Sequence, residues 1–165
     1  QLTFEYRLFR QNIEQGYQVE LCVLDFEKPA RELANDRMLS AEIVAGQGWQ
    51  PVGLRVKTDQ SIQYIAHGEW SLEADAQPLT AEGDEAGRGR LVGMILTDDF
   101  QLSQELSLGA SGNFTPQAEG RFFVRCRDSW SGLADNEGEI TTYWRLTQEE
   151  EPVIEVAVAE EQPAS

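Results

Sequence analysis

The chain is poor in histidine, cysteine and basic residues, and it has no long apolar run. His67 is its only histidine, so a metal site with two histidine ligands is excluded, and a structural role at a strand end is expected for this residue. No Gly-x-Ser-x-Gly elbow is present to supply a nucleophilic serine. No stretch approaches about 18 consecutive apolar residues, so no membrane insertion is expected. Nothing here supports an enzyme, and we predict a non-catalytic protein.

The charge balance is strongly acidic. The 29 acidic and 13 basic residues give a formal net charge of −16. Such a surface repels phosphate backbones, so nucleic acid is not an expected partner. It suits either simple solubility or the capture of divalent cations.

Cys22 and Cys126 both lie in apolar, strand-like runs, at a spacing that matches no zinc motif. They form either a disulfide, as in many exported proteins, or two buried free thiols. The chain opens on Gln1, which we interpret as a mature N-terminus. We therefore expect a secreted, periplasmic or cell-surface protein.

Short strand-like runs separated by turn clusters predict an all-β fold, an antiparallel β-sandwich. One short helix at most is expected, over Pro29–Leu39. The cluster at 109–113 is expected to be a turn. The predicted strands cover residues 2–9, 17–26, 50–57, 61–69, 90–97, 121–127 and 139–146.

Composition divides the chain into three parts: an N-terminal extension of residues 1–46 that adds strands to the sandwich, the sandwich itself at 47–147, and an acidic tail at 148–165. Residues 73–89 are polar and rich in Asp, Glu and Gly, which predicts a long loop. In the tail, Val153–Val158 alternates in polarity. This segment is either disordered or a strand that pairs with a sheet edge of this chain or of a protein neighbour.

The apolar run from residue 121 to 127 predicts a strand with two faces. One set of side chains points into the core. The opposite set includes Phe123, which we expect to lie under the N-terminal extension. The core set is Phe122, Val124 and Cys126, and the opposite set is Phe123, Arg125 and Arg127.

The segment that follows this strand carries oxygen-bearing side chains. Asp128, Asp135 and Asn136 flank a turn whose carbonyls can also point inward. Ca²⁺ takes about six to eight oxygen ligands, and such a loop supplies roughly half of them. An EF-hand is excluded, because Trp130 and Gly132 occupy positions where that loop needs side-chain ligands. The alternative is a hairpin loop without a metal.

Four segments, in order, resemble the PA-IL (LecA-like) galactose-binding lectin family. They are Gly48–Val56, Ser61–Trp70 with its Ala-x-Gly-Trp-like ending, Gly89–Ile95, and Gly120–Asp128 with the loop to Gly138. The resemblance covers about residues 47–146 and implies a galactose-binding-domain-like (jelly-roll type) sandwich. In that family the last loop holds Ca²⁺, and sugar hydroxyls complete its coordination.

The resemblance implies a ligand set for Ca²⁺ and for a sugar. The implied metal ligands are the side chains of Asp128, Asp135 and Asn136 and the carbonyls of Gly132 and Leu72; the implied sugar contacts are Asp128, Trp130 and Asn136. Trp130 either offers its face to the sugar ring or caps the sandwich. The family's sugar-contacting His and Gln sit in the long loop, which here has no His and only Gln77, so galactose specificity does not carry over.

Two functions follow. The first is a lectin-like module, calcium-assisted, that binds a carbohydrate or cell-surface glycan. The alternative is a structural or assembly subunit of the cell surface that uses the same sandwich as a scaffold.

Overall fold

The structure is a computed structural model that describes residues 28–147, together with Thr3. Within residues 28–147 the chain forms eight strands and a 3₁₀ helix. The strands are β1 (Leu39–Val44), β2 (Gln50–Val56), β3 (Ile62–Ser71), β4 (Leu91–Leu96), β5 (Leu106–Ser107), β6 (Ser111–Phe114), β7 (Gly120–Cys126) and β8 (Glu137–Leu146). The 3₁₀ helix, Trp130–Asp135, lies between β7 and β8.

The strands form two four-stranded sheets with the orders β1-β8-β3-β6 and β2-β7-β4-β5. Neighbouring strands are antiparallel throughout both sheets. The longest ladder joins β3 to β8 and runs from the Ile62–Leu146 pair to the Ser71–Glu137 pair. The predicted antiparallel β-sandwich is therefore confirmed.

The core lies between the sheets and is centred on aromatic side chains. In β8, Ile140, Thr142 and Trp144 are buried at alternate positions, which is the period of a strand with one face inward. Phe122 of the second sheet lies 5.2 Å, between ring centroids, from Trp144 of the first. Gly93 in β4 allows this close packing, because a Cβ there would lie 2.6 Å from Phe122 Cζ.

The register predicted for β7 is confirmed. Phe122, Val124 and Cys126 lie in the main core. Phe123 belongs to a second buried cluster with Met94 and Leu96, against which Trp49 and Phe100 pack. The predicted cover over Phe123 falls largely on residues 1–27, which, apart from Thr3, lie outside the described residues.

The prediction of a helix at Pro29–Leu39 is wrong. Arg31 donates its N–H to the Gly53 carbonyl (2.9 Å) and accepts from the Arg55 N–H (2.8 Å), so this segment runs alongside β2 instead of coiling. β1 then begins at Leu39 and pairs with β8.

The prediction of a turn at 109–113 is wrong in part, since β6 begins at Ser111 and pairs with β3. β5 and β6 were not predicted because they have only two and four residues. β1 was not predicted as a separate strand either. Apart from Thr3, the predicted strands over 2–9 and 17–26 and the alternating segment of the tail lie outside the described residues.

Cys126 is a free, buried cysteine. Burial raises the pKa of its thiol to about 12, the nearby Asp128 carboxylate adds to the rise, and Arg125 opposes it. The thiol is therefore protonated and unreactive at neutral pH. Cys22 lies outside the described residues. Among those residues, no helix has the length and apolar character needed to cross a bilayer.

Candidate functional site

The connection from β7 to β8 is held in shape by its own backbone and by one apolar anchor. The Gly132 N–H donates to the Ser129 carbonyl (3.0 Å), and the Asn136 N–H donates to the Leu133 carbonyl (3.2 Å). Leu133 is fully buried and ties the 3₁₀ helix to the end of the sandwich. The polar residues around it are thus presented by an ordered turn.

Arg125 fixes the start of this connection. Its guanidinium lies 3.8 Å from the ring centroid of Trp130 and 5.1 Å from that of Trp49. Its NH1 donates to the backbone carbonyl of Asp128 at 3.2 Å. Since Arg125 is itself buried, it holds Trp130 and the Asp128 backbone against the sandwich.

Asp128 and Gly132 approach each other closely. Asp128 Oδ1 accepts a hydrogen bond from the Ser129 N–H at 2.7 Å. A Cβ placed on Gly132 would lie 3.3 Å from Asp128 Oδ2 and 2.8 Å from Ser129 Oγ. The absence of a side chain at Gly132 therefore keeps the space beside the Asp128 carboxylate open.

Asn136 is buried, and only half of its amide is satisfied. Its Nδ2 donates to the Ala45 carbonyl at 3.2 Å. That carbonyl needs a donor, so it fixes which way the amide points. Asn136 Oδ1 is buried without a hydrogen-bond partner within the described part of the chain. An unsatisfied buried acceptor costs about 1–3 kcal/mol, so this oxygen is suited to a ligand.

The long loop predicted at residues 73–89 has no strand or helix of its own and is tied to the end of β7. The Gly89 N–H donates to the Arg127 carbonyl at 2.7 Å. Trp70, buried at the end of β3, donates its Nε1–H to the Gly89 carbonyl at 2.7 Å. These bonds place the loop beside the β7–β8 connection.

Asp84 organises the tip of this loop. Its Oδ1 accepts from the N–H groups of Ala86 and Arg88, both at 2.9 Å, and its Oδ2 accepts from Arg88 Nε at 2.9 Å. These bonds, first of all the one from the Arg88 N–H, lower the pKa of Asp84 below its ordinary value. Gly83 has φ +74°, and a Cβ there would lie 2.6 Å from the Arg88 carbonyl, so the tight turn requires glycine.

The two loops enclose an open pocket of about 480 Å³. The residues that line it are Leu72, Glu73, Ala86, Gly87, Arg88, Arg125, Arg127, Asp128, Ser129, Gly132 and Asp135. Four of the five positions expected to supply metal ligands are in this set. The fifth, Asn136, is buried next in sequence to Asp135. Trp130 is half-buried and stacks on Arg125, which does line the pocket.

The pocket is lined by both acidic and basic side chains. The described residues contain no group of three or more His, Cys, Asp and Glu side chains placed to hold a metal ion. The expected ligand set contains only two carboxylates and relies on an amide and carbonyls, so it differs in kind from such a group. Sequence analysis missed the contributions to the pocket of Glu73, Arg88, Arg125 and Arg127. Only the length of the loop at 73–89 hinted at them.

His67 lies elsewhere, on the outer face of the first sheet. It is exposed, and its ring lies 6.1 Å from that of Tyr143. It is not among the residues that line the pocket.

Comparison with known proteins bears on the fold. No protein-family model matches the sequence, and no curated protein matches it. Eight chains of solved structures match. One is the N-terminal domain of EclA, a PllA-like lectin, with a TM-score of 0.55 and 19% identity over 66% of this chain and 96% of that domain. The chain has a lectin-like fold. At this identity the likeness concerns the fold alone, and it does not extend specifically to the PA-IL (LecA-like) family.

Proposed function

We propose that this domain is a calcium-assisted carbohydrate-binding module whose site is the pocket between the long loop and the β7–β8 connection. The observation that supports it most is the convergence of Leu72, Asp128, Gly132 and Asp135 on one open pocket. Leu72 is more than 50 residues from the other three in sequence, so their meeting in one pocket is a tertiary feature of the fold. The lectin-like fold adds the expectation of a non-catalytic binding role.

The residues present fit a calcium ion. The carboxylates of Asp128 and Asp135, the Oδ1 of Asn136 and the carbonyls of Gly132 and Leu72 would hold it. The buried Oδ1 of Asn136 accepts no hydrogen bond within the described residues, and an amide oxygen of this kind can coordinate a cation. When bound, Ca²⁺ would coordinate two adjacent hydroxyl groups of the sugar.

The pocket also offers direct contacts to a sugar. Carboxylate oxygens of Asp128 would accept from hydroxyl groups. Trp130 does not line the pocket but stacks on Arg125, which does, and its exposed part would contact the sugar ring. Ca²⁺ sites of extracellular modules bind at about 0.1–1 mM, the range expected for a set with only two carboxylates. The proposal goes with a secreted, periplasmic or cell-surface setting, where extracellular calcium sites of this affinity are found.

The experiment is a thermal unfolding series in Ca²⁺ and in Mg²⁺ at equal ionic strength. A ligand present at a hundred times its Kd stabilises the folded state by about 2.7 kcal/mol. For a domain of this size that raises Tm by about 5–11 °C, at roughly 2–4 °C per kcal/mol. Mg²⁺ demands a tight octahedron and retains its waters, so it should give only the general screening effect.

The variants localise the effect. Asp128→Ala and Asn136→Ala are expected to abolish the calcium-specific rise in Tm and the calcium-dependent retention of the protein on a glycan array. Asp59→Ala is the matched control, because Asp59 is an exposed turn residue outside the pocket and its loss changes the net charge equally. Equal shifts with both ions, or a calcium shift that survives Asp128→Ala, would favour the scaffold function instead.

A further inference from the structure

The pocket departs from the charge balance of the chain. Acidic residues outnumber basic ones 29 to 13 in the whole sequence. Around the pocket the two signs are equal. The acidic lining residues are Glu73, Asp128 and Asp135, and the basic ones are Arg88, Arg125 and Arg127. The pocket is therefore less repulsive to an anion than the acidic balance of the whole chain would suggest.

Within residues 28–147, the side chain of Arg88 donates a hydrogen bond through its Nε–H only. Its side chain is 64% exposed and gives its Nε–H to Asp84. A guanidinium has five N–H donors, so the four on its terminal nitrogens remain for a ligand. Because Asp84 also binds the Arg88 N–H, the root of this side chain is fixed.

Arg127 has a similar arrangement on the opposite loop. Its side chain is 47% exposed, and its NH2 lies 2.9 Å from Glu105 Oε1. Its NH1 lies close to Gly87, where a Cβ would approach to 3.3 Å. Glu105 is not among the residues that line the pocket, so it holds the guanidinium without occupying the pocket.

Arg125 has a different role. It is buried, stacked on Trp130 and bonded to the Asp128 carbonyl, so it contributes charge while remaining fixed in place. Two exposed guanidinium groups and one buried one thus surround the same space. Planar guanidinium groups bind carboxylates through two parallel hydrogen bonds.

We infer that the ligand is a carboxylate-bearing saccharide, whose acid group is bound by Arg88 and Arg127. The inference rests on the proposed function, because a saccharide is expected only if the pocket is a lectin site. Occupation by Ca²⁺ would strengthen it, since the ion offsets the carboxylates of Asp128 and Asp135 and leaves the arginines in excess.

The test uses matched pairs of glycans on an array with the full chain in Ca²⁺. The pairs are 3′-sialyllactose and lactose, and oligosaccharides ending in glucuronate and in glucose; lactose 3′-sulfate distinguishes a general anion site from a carboxylate site. The best pair is then measured by isothermal titration calorimetry. We expect the acidic member to bind at least about tenfold more tightly at low salt, or about 1.4 kcal/mol. The ratio should fall as NaCl is raised toward about 0.5 M, because exposed charges are screened.

The variant Arg88→Gln/Arg127→Gln should reduce the ratio of acidic to neutral binding to near unity. Arg145→Gln is the matched control: this exposed arginine on the outer face of the first sheet carries the same charge and does not line the pocket. It should leave the ratio unchanged. A preference that survives the double variant would overturn the inference.

The remaining outcomes separate the two proposals. Equal binding of neutral and acidic members would overturn the acidic ligand and leave the lectin function standing. Equal gains from sulfate and carboxylate would overturn the carboxylate assignment. No calcium-dependent binding of any glycan would overturn the proposed function and this inference together.

Discussion

Two concave surfaces of similar size differ sharply in how they are built. The pocket of about 480 Å³ is formed by loops and lined by charged residues. A groove of about 440 Å³ lies on the first sheet and is formed mainly by strand side chains. Its lining residues are Met38, Gln63, Tyr64, Ile65, Ser111, Gly112, Asn113, Tyr143, Trp144 and Arg145.

The groove follows from strand geometry. Gln63 and Ile65 point outward from β3 and face Arg145 and Tyr143 of β8 in the ladder register. Tyr64 and Trp144, which alternate with these residues along the same strands, have buried side chains in the core. The charged pocket does not follow from the alternation of side chains along a strand. Its shape depends on tertiary contacts, such as the hydrogen bond from Gly89 to Arg127 and the stack of Arg125 on Trp130. Alternation of side chains along the strands defines the groove, and specific tertiary hydrogen bonds and contacts define the pocket.

The largest expected effect concerns a core residue of β8, one of the strands that carry the groove. Trp144→Ala removes a fully buried ring that contacts Tyr64, Phe114 and Phe122, and should lower the free energy of unfolding by about 3–5 kcal/mol. Tyr143→Ala, one residue away on the outward face, should cost about 1 kcal/mol or less. Urea denaturation measures both. Equal losses for the two variants would contradict the register of β8.

A smaller effect is expected at the pocket. Arg125→Met keeps the length of the side chain but removes the charged hydrogen bond to the Asp128 carbonyl and the stack on Trp130. The free energy of unfolding should fall by about 1.5–3 kcal/mol. Arg127→Met removes an exposed ion pair with Glu105 and should cost about 0.2–1 kcal/mol.

The same pair of variants separates packing from positioning. If Arg125 positions the Asp128 loop, Arg125→Met should also shrink the calcium-specific rise in Tm, which a general loss of stability would leave intact. A stable Arg125→Met variant with the full calcium response would show that the pocket does not depend on this residue.

The strand faces could be predicted from the sequence better than the pocket could. The faces of β7, with Phe122, Val124 and Cys126 inward, could be predicted because a strand alternates with period two. The meeting of Leu72 with Asp128 could be predicted only from a resemblance, since no local pattern brings two distant loops together. Arg88 was beyond prediction because its position is fixed by Asp84 and by a glycine turn whose geometry appears only in the folded loop. The failed helix at Pro29–Leu39 has a similar cause, in that tertiary pairing with β2 overrode a weak local signal.

The most direct test of the account is a crystal structure of the full chain grown with Ca²⁺ at about ten times the upper Kd expected for such sites, roughly 10 mM. The account predicts one strong peak in the pocket, about 2.3–2.6 Å from oxygens of Asp128, Asp135 and Asn136 and from the carbonyls of Gly132 and Leu72. Anomalous scattering identifies the peak as calcium. A well-ordered pocket without that peak, with Asn136 Oδ1 bonded to water or still unpartnered, would contradict it.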